Sequence, residues 1–440
     1  MRMKVSDYIA KKLVQEGISD VFMITGGGAM HLDDGLGHEP GLHCYFNHHE
    51  QACAIAAECY ARIHNKIAAV CVTTGPGGTN AITGVVGGWL DSIPMLILSG
   101  QVRYDTTAHS TGLAIRAMGD QEFEITKAVS CMTKYCEMVL DPMRIRFCLE
   151  KALYLAQTGR PGPCWLDIPL NVQGAYVETE NLLGFDAADY AAGGTGWSAH
   201  GTGCQSCTVC MMNQIEGKPA MIPEDVKGQG ERREPLPEPV TVETARQILR
   251  KVREAKRPVI NAGNGIRIGK AYEVFARVVD CMYDTHPLYV GRAGHMGDRP
   301  GNFAVQNSDL LLSLGSRLSI RQVGYNYKTW AREAYVIYND IDSEELKKPT
   351  LHVDMPVHAD VKDLLEKLEL VLDEEEFDEN GGPKDPQAVD WWVKRCQEWK
   401  EKYPVVLPKH YAAGDGEPAN IYAAIKEISS RVEENQITVV

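Results

Sequence analysis

Two short stretches of the 440-residue sequence combine residue types that could do chemistry. In NHHEQACAIAAECYARIHN, Asn47 to Asn65, a carboxylate, Glu50, stands at the head of a helical segment of Ala, Cys and Ile. Two readings are open. A first-turn acid is favoured by the helix dipole and needs no partner but water. A carboxyl sheltered by an apolar helix keeps its proton more readily and can share it with a heterocyclic nitrogen. In TTGPGGTNA, Thr73 to Ala81, a strand ends in a glycine turn and a helix begins. Backbone N–H groups at such a helix start suit an anion or a polar ring edge. The same glycines also serve a plain strand-to-helix crossing.

Three further motifs carry less. NAGNGIRIG, 261–269, spaces its glycines as G-x-G-x-x-x-G, not as the dinucleotide G-x-G-x-x-G. It could pass a phosphate near its backbone or simply punctuate a sheet, and a nicotinamide dehydrogenase reading built on it leaves Glu50 without a role. CQSCTVC places Cys204, Cys207 and Cys210 like part of an iron–sulfur or zinc loop, but no fourth ligand stands in register, and free thiols are the plainer reading. GDGEPAN, 414–420, has the G-D-G form of a metal–diphosphate motif without a buried strand before it, so Asp415 reads as a turn or capping residue.

The elements that must position these residues alternate. VFMIT, LHCYF, IAAVCVTT, PMLILSG and PCWLDIPL read as strands separated by helices, with Ser6 or Asp7 capping a first helix that Gly17 ends. That pattern predicts an α/β fold with a doubly wound parallel sheet over 1–180. Residues 185–240, poor in large aliphatics and then rich in Pro and charge, read as a linker with an insertion. A second block over 241–385 contains the strands RPVINA, SDLLLSLGSRL and EAYVIYNDID. It reads as a Rossmann-like domain whose core lacks a strand near CMYDT, 281–285. From 386 to 440 two helices and the strand start ITVV read as an incomplete third domain.

Composition narrows the classes. The formal net charge of −14 disfavours binding along a nucleic-acid backbone. No apolar run reaches membrane-spanning length. Thirteen scattered cysteines, among them Cys53, Cys59, Cys71, Cys148 and Cys164, predict reduced thiols and a cytoplasmic address.

In order and spacing, H-E-Q-x-A…Y-A-R followed by T-T-G-P-G-x-T-N resembles the thiamine-diphosphate-dependent enzymes of the acetolactate synthase type. The resemblance continues through MGDQEFEI, GRPGPCWLDIP, RPVINAGNG, GNFAVQNSDLLLSLGSRL and NDID, over about 1–180 and 240–440. It implies a pyrimidine-binding first domain. There Glu50 would hydrogen-bond N1′ of the cofactor's aminopyrimidine and favour the tautomer that takes the C2 proton. Gly26, Thr74, Gly75 and Asn80 would line that pocket, and Ala52, Ala54 and Ala56 would let the helix pack closely behind the acid. Gln121 and His49 would face a 2-keto acid such as pyruvate, with a helix cap as the alternative for His49. In the central block Gly263, Gly265, Gly315, Arg317, Asp340 and Asp342 match the glycine turns and polar ends that surround FAD in acetolactate synthase, a cofactor that many relatives lack.

The resemblance further implies a homodimer or homotetramer, a cytoplasmic location, and a carboligase or decarboxylase reaction. It departs from the pattern at Asp120, where Phe precedes the Gln-Glu pair, and at Leu170 and Asn171, where Lys-Asp follows Ile-Pro. The Mg²⁺ and diphosphate motif, G-D-G-S followed by Asn-Asn, is missing, so no metal ligand is assigned. The expectation is therefore an enzyme impaired by truncation at Val440, with a non-catalytic or regulatory module as the alternative.

Overall fold

The computed structural model describes residues 1–198, 230–232, 234–279, 286–373, 382–412, 414 and 418–433. Cys204, Cys207 and Cys210, the CMYDT junction, Asp415 and the terminal ITVV lie outside the described residues. The chain divides into two compact units, Met1–Pro235 and Leu236–Val440. The described parts of 185–240 up to Pro235 thus fall in the first unit.

In the first unit β1 (Arg2–Lys4) leads into α1 (Val5–Gln15), then β2 (Asp20–Met23), α2 (Met30–His38), β3 (His43–Phe46), α3 (Glu50–His64), β4 (Ala68–Val72), α4 (Pro76–Leu90) and β5 (Met95–Gln101). β6 (Tyr135–Met138), β7 (Pro163–Pro169), β8 (Tyr176–Glu178), β9 (Gly184–Phe185), β10 (Trp197–Ser198) and β11 (Gly230–Glu231) follow. The main sheet has the order β11-β6-β7-β5-β4-β2-β3; all its pairs are parallel except β11 with β6. β1 pairs antiparallel with β8, and β9 with β10.

The continuous apolar runs are what a sheet covered on both faces requires. Along β4, Ala69 and Cys71 join one core while Ala68, Val70 and Val72 join another. Along β5, Leu96 and Leu98 divide from Met95 and Ile97 in the same way. Cys53, Cys71, Cys148 and Cys164 are buried free thiols.

Three details differ from the sequence reading. The cap of α1 is Lys4, and Ser6 lies buried inside the first turn, because pairing of β1 with β8 sets where the helix starts. β6 (YCEM) has too little apolar character to stand out, yet it is fully buried between β7 and β11. The buried stripe of α3 is Cys53, Ala54, Ala57 and Ala61, whereas Ala52 is exposed and Ala56 half-buried. A helix presents residues three and four apart to one neighbour, so alternate alanines could not all face inward. That stripe meets α4 closely: a Cβ on Gly84 would lie 2.6 Å from Ala54 Cβ.

The second unit holds a parallel sheet of order β12-β13-β14-β15, formed by Pro258–Ala262, Leu310–Leu314, Tyr335–Asp340 and Met355–His358. β15 leads into a helix over Val361–Leu372. Leu310, Leu312 and Leu314 face one core and Leu311 the other. Helices Pro386–Lys402 and Ile421–Ser429 follow.

Candidate functional site

The first sheet reverses its winding between β2 and β4. The chain runs from β2 to β3 on one side, then to β4 on the other side of β2. Connections that leave adjacent strands in opposite directions open a crevice at the strands' carboxyl ends, the usual binding place in open α/β sheets. The turns after β2, β3 and β4 carry Gly26–Gly28, Glu50 and Thr73–Gly77, so the topology gathers the sequence-predicted residues of this unit at that crevice.

Close approach explains the glycines. A Cβ on Gly26 would sit 2.5 Å from Thr73 Cβ, and Gly28 N–H donates to Thr73 Oγ1 at 3.0 Å. Gly75 caps α4 with φ of +54°, and a Cβ there would lie 2.0 Å from the Gln121 carbonyl oxygen. Gln121 itself has φ of +56°, a conformation that costs a non-glycine residue about 1–3 kcal/mol and gathers at functional sites.

Glu50 begins α3, half-buried, neither fully solvated nor enclosed within the chain. Asn80 Nδ2 donates to its Oε2 at 3.0 Å. Oε1 points toward α4, where a Cβ on Gly77 would come within 3.6 Å of it. Among the described residues no donor reaches Oε1. His49 caps α3, its Nδ1 accepting the Gln51 N–H at 3.1 Å. Asn80, Gln121 and His49 are exposed, and Thr74 is buried. At the departures from the resembled pattern, Asp120 is exposed and Asn171 Oδ1 accepts the Tyr104 N–H at 2.8 Å.

Residues beneath the site escaped the sequence reading. Gly26 N–H donates to Asp33 Oδ2 at 3.0 Å. Burial pushes the Asp33 carboxyl up to about 6 against the opposing pull of that N–H. The Thr74 hydroxyl donates to Gln101 Oε1 at 2.6 Å, and Gln101 Nε2 donates to Asp167 Oδ2 at 3.0 Å. Asp167 is fully buried, and desolvation pushes it to about 7. The available signal was a polar residue inside an otherwise apolar strand, in MLILSGQ and in PCWLDIP.

In the second unit Gly263, Gly265, Gly315, Arg317, Asp340 and Asp342 also meet at the carboxyl ends of β12, β13 and β14. Their contacts are internal. Gly265 N–H donates to the Gly315 carbonyl at 2.8 Å, and a Cβ on Gly263 would lie 2.3 Å from that oxygen. Tyr338 donates to Asp340 Oδ2 at 2.9 Å, Asp342 N–H donates to Asp340 Oδ1 at 3.0 Å, and Lys348 Nζ donates to the Arg317 carbonyl. Among the described residues no group of three or more His, Cys, Asp or Glu could hold a metal ion, and no helix is long and apolar enough to cross a membrane.

Comparison with known proteins matches residues 3–125 to the thiamine pyrophosphate enzyme N-terminal TPP-binding domain and residues 278–368 to the thiamine pyrophosphate enzyme central domain. The chain is 28% identical to the probable acetolactate synthase large subunit of Methanococcus aeolicus, over 99% of this chain and 65% of that protein. It is 28% identical to the acetolactate synthase large subunit of Lactococcus lactis, over 91% and 60%. For the chloroplastic acetolactate synthase 1 of Zea mays the figures are 28%, 91% and 56%. The chain thus spans less than two thirds of the length of these relatives. The crevice and its glycine turns thus lie in the stretch that matches the thiamine pyrophosphate enzyme N-terminal TPP-binding domain, and the second unit holds the stretch that matches the central domain of such enzymes.

Proposed function

We propose that the first unit forms the aminopyrimidine half of a thiamine diphosphate site. The enzyme it serves would be an acetolactate synthase-like carboligase or decarboxylase acting on a 2-keto acid such as pyruvate. The observation that carries this reading is the Glu50 carboxyl at the switch-point crevice. One oxygen is held by Asn80, and the other faces Gly77, where a Cβ would come within 3.6 Å of it. Gly26, Gly75 and Gly77 let the turns that border this carboxyl pack closely against Thr73 and the Gln121 carbonyl. Glu50 would hold a proton at Oε1 toward the ring nitrogen, and Asn80 would fix the carboxyl's orientation. When bound, thiamine diphosphate supplies an electron sink at the carbonyl carbon of the keto acid. Gln121 and His49 Nε2 would face the substrate.

Glu50 is only half-buried in one chain, so a neighbouring subunit that completes its enclosure fits this reading, as a homodimer or homotetramer in the cytoplasm. No residue among those described is assigned to Mg²⁺ or the diphosphate.

The test is C2–H/D exchange of thiamine diphosphate, followed by NMR with Mg²⁺ and the native polypeptide. Wild type is expected to accelerate exchange, and Glu50→Gln to lose about 10²–10⁴-fold of that acceleration. Equal exchange in both proteins overturns the reading.

A further inference from the structure

Gln101, the last residue of β5 and 1% exposed, is the side chain on which the buried polar contacts beneath the site converge. All four of its hydrogen-bonding positions are used. Oε1 accepts from the Thr74 hydroxyl at 2.6 Å and from the Val102 N–H at 3.0 Å. Nε2 donates to the Phe123 carbonyl at 2.9 Å and to Asp167 Oδ2 at 3.0 Å. Turned over, the amide would set N–H against N–H and oxygen against two oxygens, so its surroundings fix its sense. Asp167 is held in turn: Ser99 donates to Oδ1 at 2.6 Å, and Trp165 Nε1 donates to Ser99 Oγ at 2.8 Å.

The amide joins two segments that come from different crossovers. Thr74 belongs to the turn that carries Gly75 and Gly77 beside Glu50. Phe123 lies two residues beyond Gln121. The segments also touch above Gln101, where Gly75 and the Gln121 carbonyl leave no space for a Cβ. A shift of either one would break hydrogen bonds that no water replaces, since Thr74, Gln101 and Asp167 are all buried.

We propose that Gln101 is a positioning residue that locks the Thr73–Gly77 turn to the Gln121–Phe123 segment, with Asp167 orienting its amide. The cofactor-side and substrate-side walls of the site are thereby held at one spacing. This inference rests on the reading of that site as the thiamine diphosphate site and assigns the group that sets its width.

Two measurements on the native polypeptide test it. Gln101→Met keeps the length of the side chain and removes all four hydrogen bonds. Amide hydrogen exchange is expected to rise about tenfold in both 73–79 and 119–125, the scale of one buried hydrogen bond, while Val70 and Leu96 stay protected. Asp167→Asn, which still offers Gln101 an acceptor, is expected to give a smaller rise in the same two segments, and it serves alone if Gln101→Met does not fold. A rise in one segment only, or across the whole unit, overturns the proposal. In the second measurement, thiamine diphosphate is titrated with Mg²⁺ present, and Gln101→Met is expected to weaken binding about tenfold. Unchanged affinity overturns the proposal. If wild type itself fails to bind, the site reading falls, while the exchange pattern still decides whether Gln101 couples the two segments.

Discussion

At the carboxyl edge of the first sheet, the connections after β2 and β4 diverge, and the glycine turns there face a carboxyl with one oxygen open. At the corresponding edge of the second sheet, the described strands follow one another in chain order, and the turns of Gly263, Gly265 and Gly315 close on themselves. The polar layers beneath differ too. Under the first turn lies the fully buried carboxyl of Asp167. Under the second, Asn261 donates to Ser313 at 3.0 Å, Gln322 donates to Asn261 at 2.7 Å and Ser316 donates to Gln322 at 2.9 Å, a network of neutral groups. A strand followed by a glycine turn is therefore not a site in itself. It becomes one where strand order reverses and leaves the turn something other than its own backbone to face.

Matched substitutions in the two units sharpen that contrast. The largest difference is expected between Glu50→Gln and Asp340→Asn. The first should remove about 10²–10⁴-fold of the cofactor C2–H/D exchange, and the second should leave exchange unchanged.

Asp167→Asn probes the charged layer by its pH dependence. The Asp167 carboxyl is raised by burial, with the charge of Glu124 adding, from 3.8 to about 7. The folded state therefore binds the proton more tightly than the unfolded state. Its contribution to stability is full below the unfolded value and is lost as pH rises toward 7, with a slope of at most about 1.4 kcal/mol per pH unit. Thermal unfolding between pH 4 and pH 8 should show this decline in wild type and a flatter profile in the Asn variant. Matching profiles would remove the carboxyl from the comparison.

Next come the glycines. Gly263→Ala should destabilise the second unit by about 1–3 kcal/mol through overpacking, measured by calorimetry, without changing thiamine diphosphate affinity. Gly77→Ala should weaken that affinity about tenfold, the scale of one contact at the ring edge. The reverse outcome would exchange the roles assigned to the two turns.

The smallest effects belong to two hydroxyls that each donate to a glutamine amide, Gln101 and Gln322. Thr74→Val and Ser316→Ala should each cost about 1 kcal/mol in denaturant unfolding. Only Thr74→Val should also weaken cofactor binding.

Much of this was legible in the residues. Strands such as IAAVCVTT and PMLILSG announce a sheet covered on both faces, because only a doubly buried strand is apolar at every position. Glu50, Gly26, Thr74, Gly75 and Asn80 were grouped only through the family resemblance, because each local pattern by itself serves a plain strand-to-helix turn equally well. β6 and β15 were not, since YCEM and MPVH owe their pairing to neighbouring strands more than to their own apolar character. Nor could periodicity say which alanines of α3 face α4, which depends on how the two helices cross.

By itself, then, the sequence determined the alternation of elements, the glycine turns at strand ends and the acid at the head of α3. These follow from local sterics and from side-chain periodicity, which act between residues close in the chain. Tertiary structure alone decided that Thr74, Gln101, Phe123 and Asp167 share one buried set of hydrogen bonds. It alone decided that the glycines of the second unit close on one another. Such contacts join residues far apart in the chain, and a buried polar group finds its partner only when strand order brings the two together.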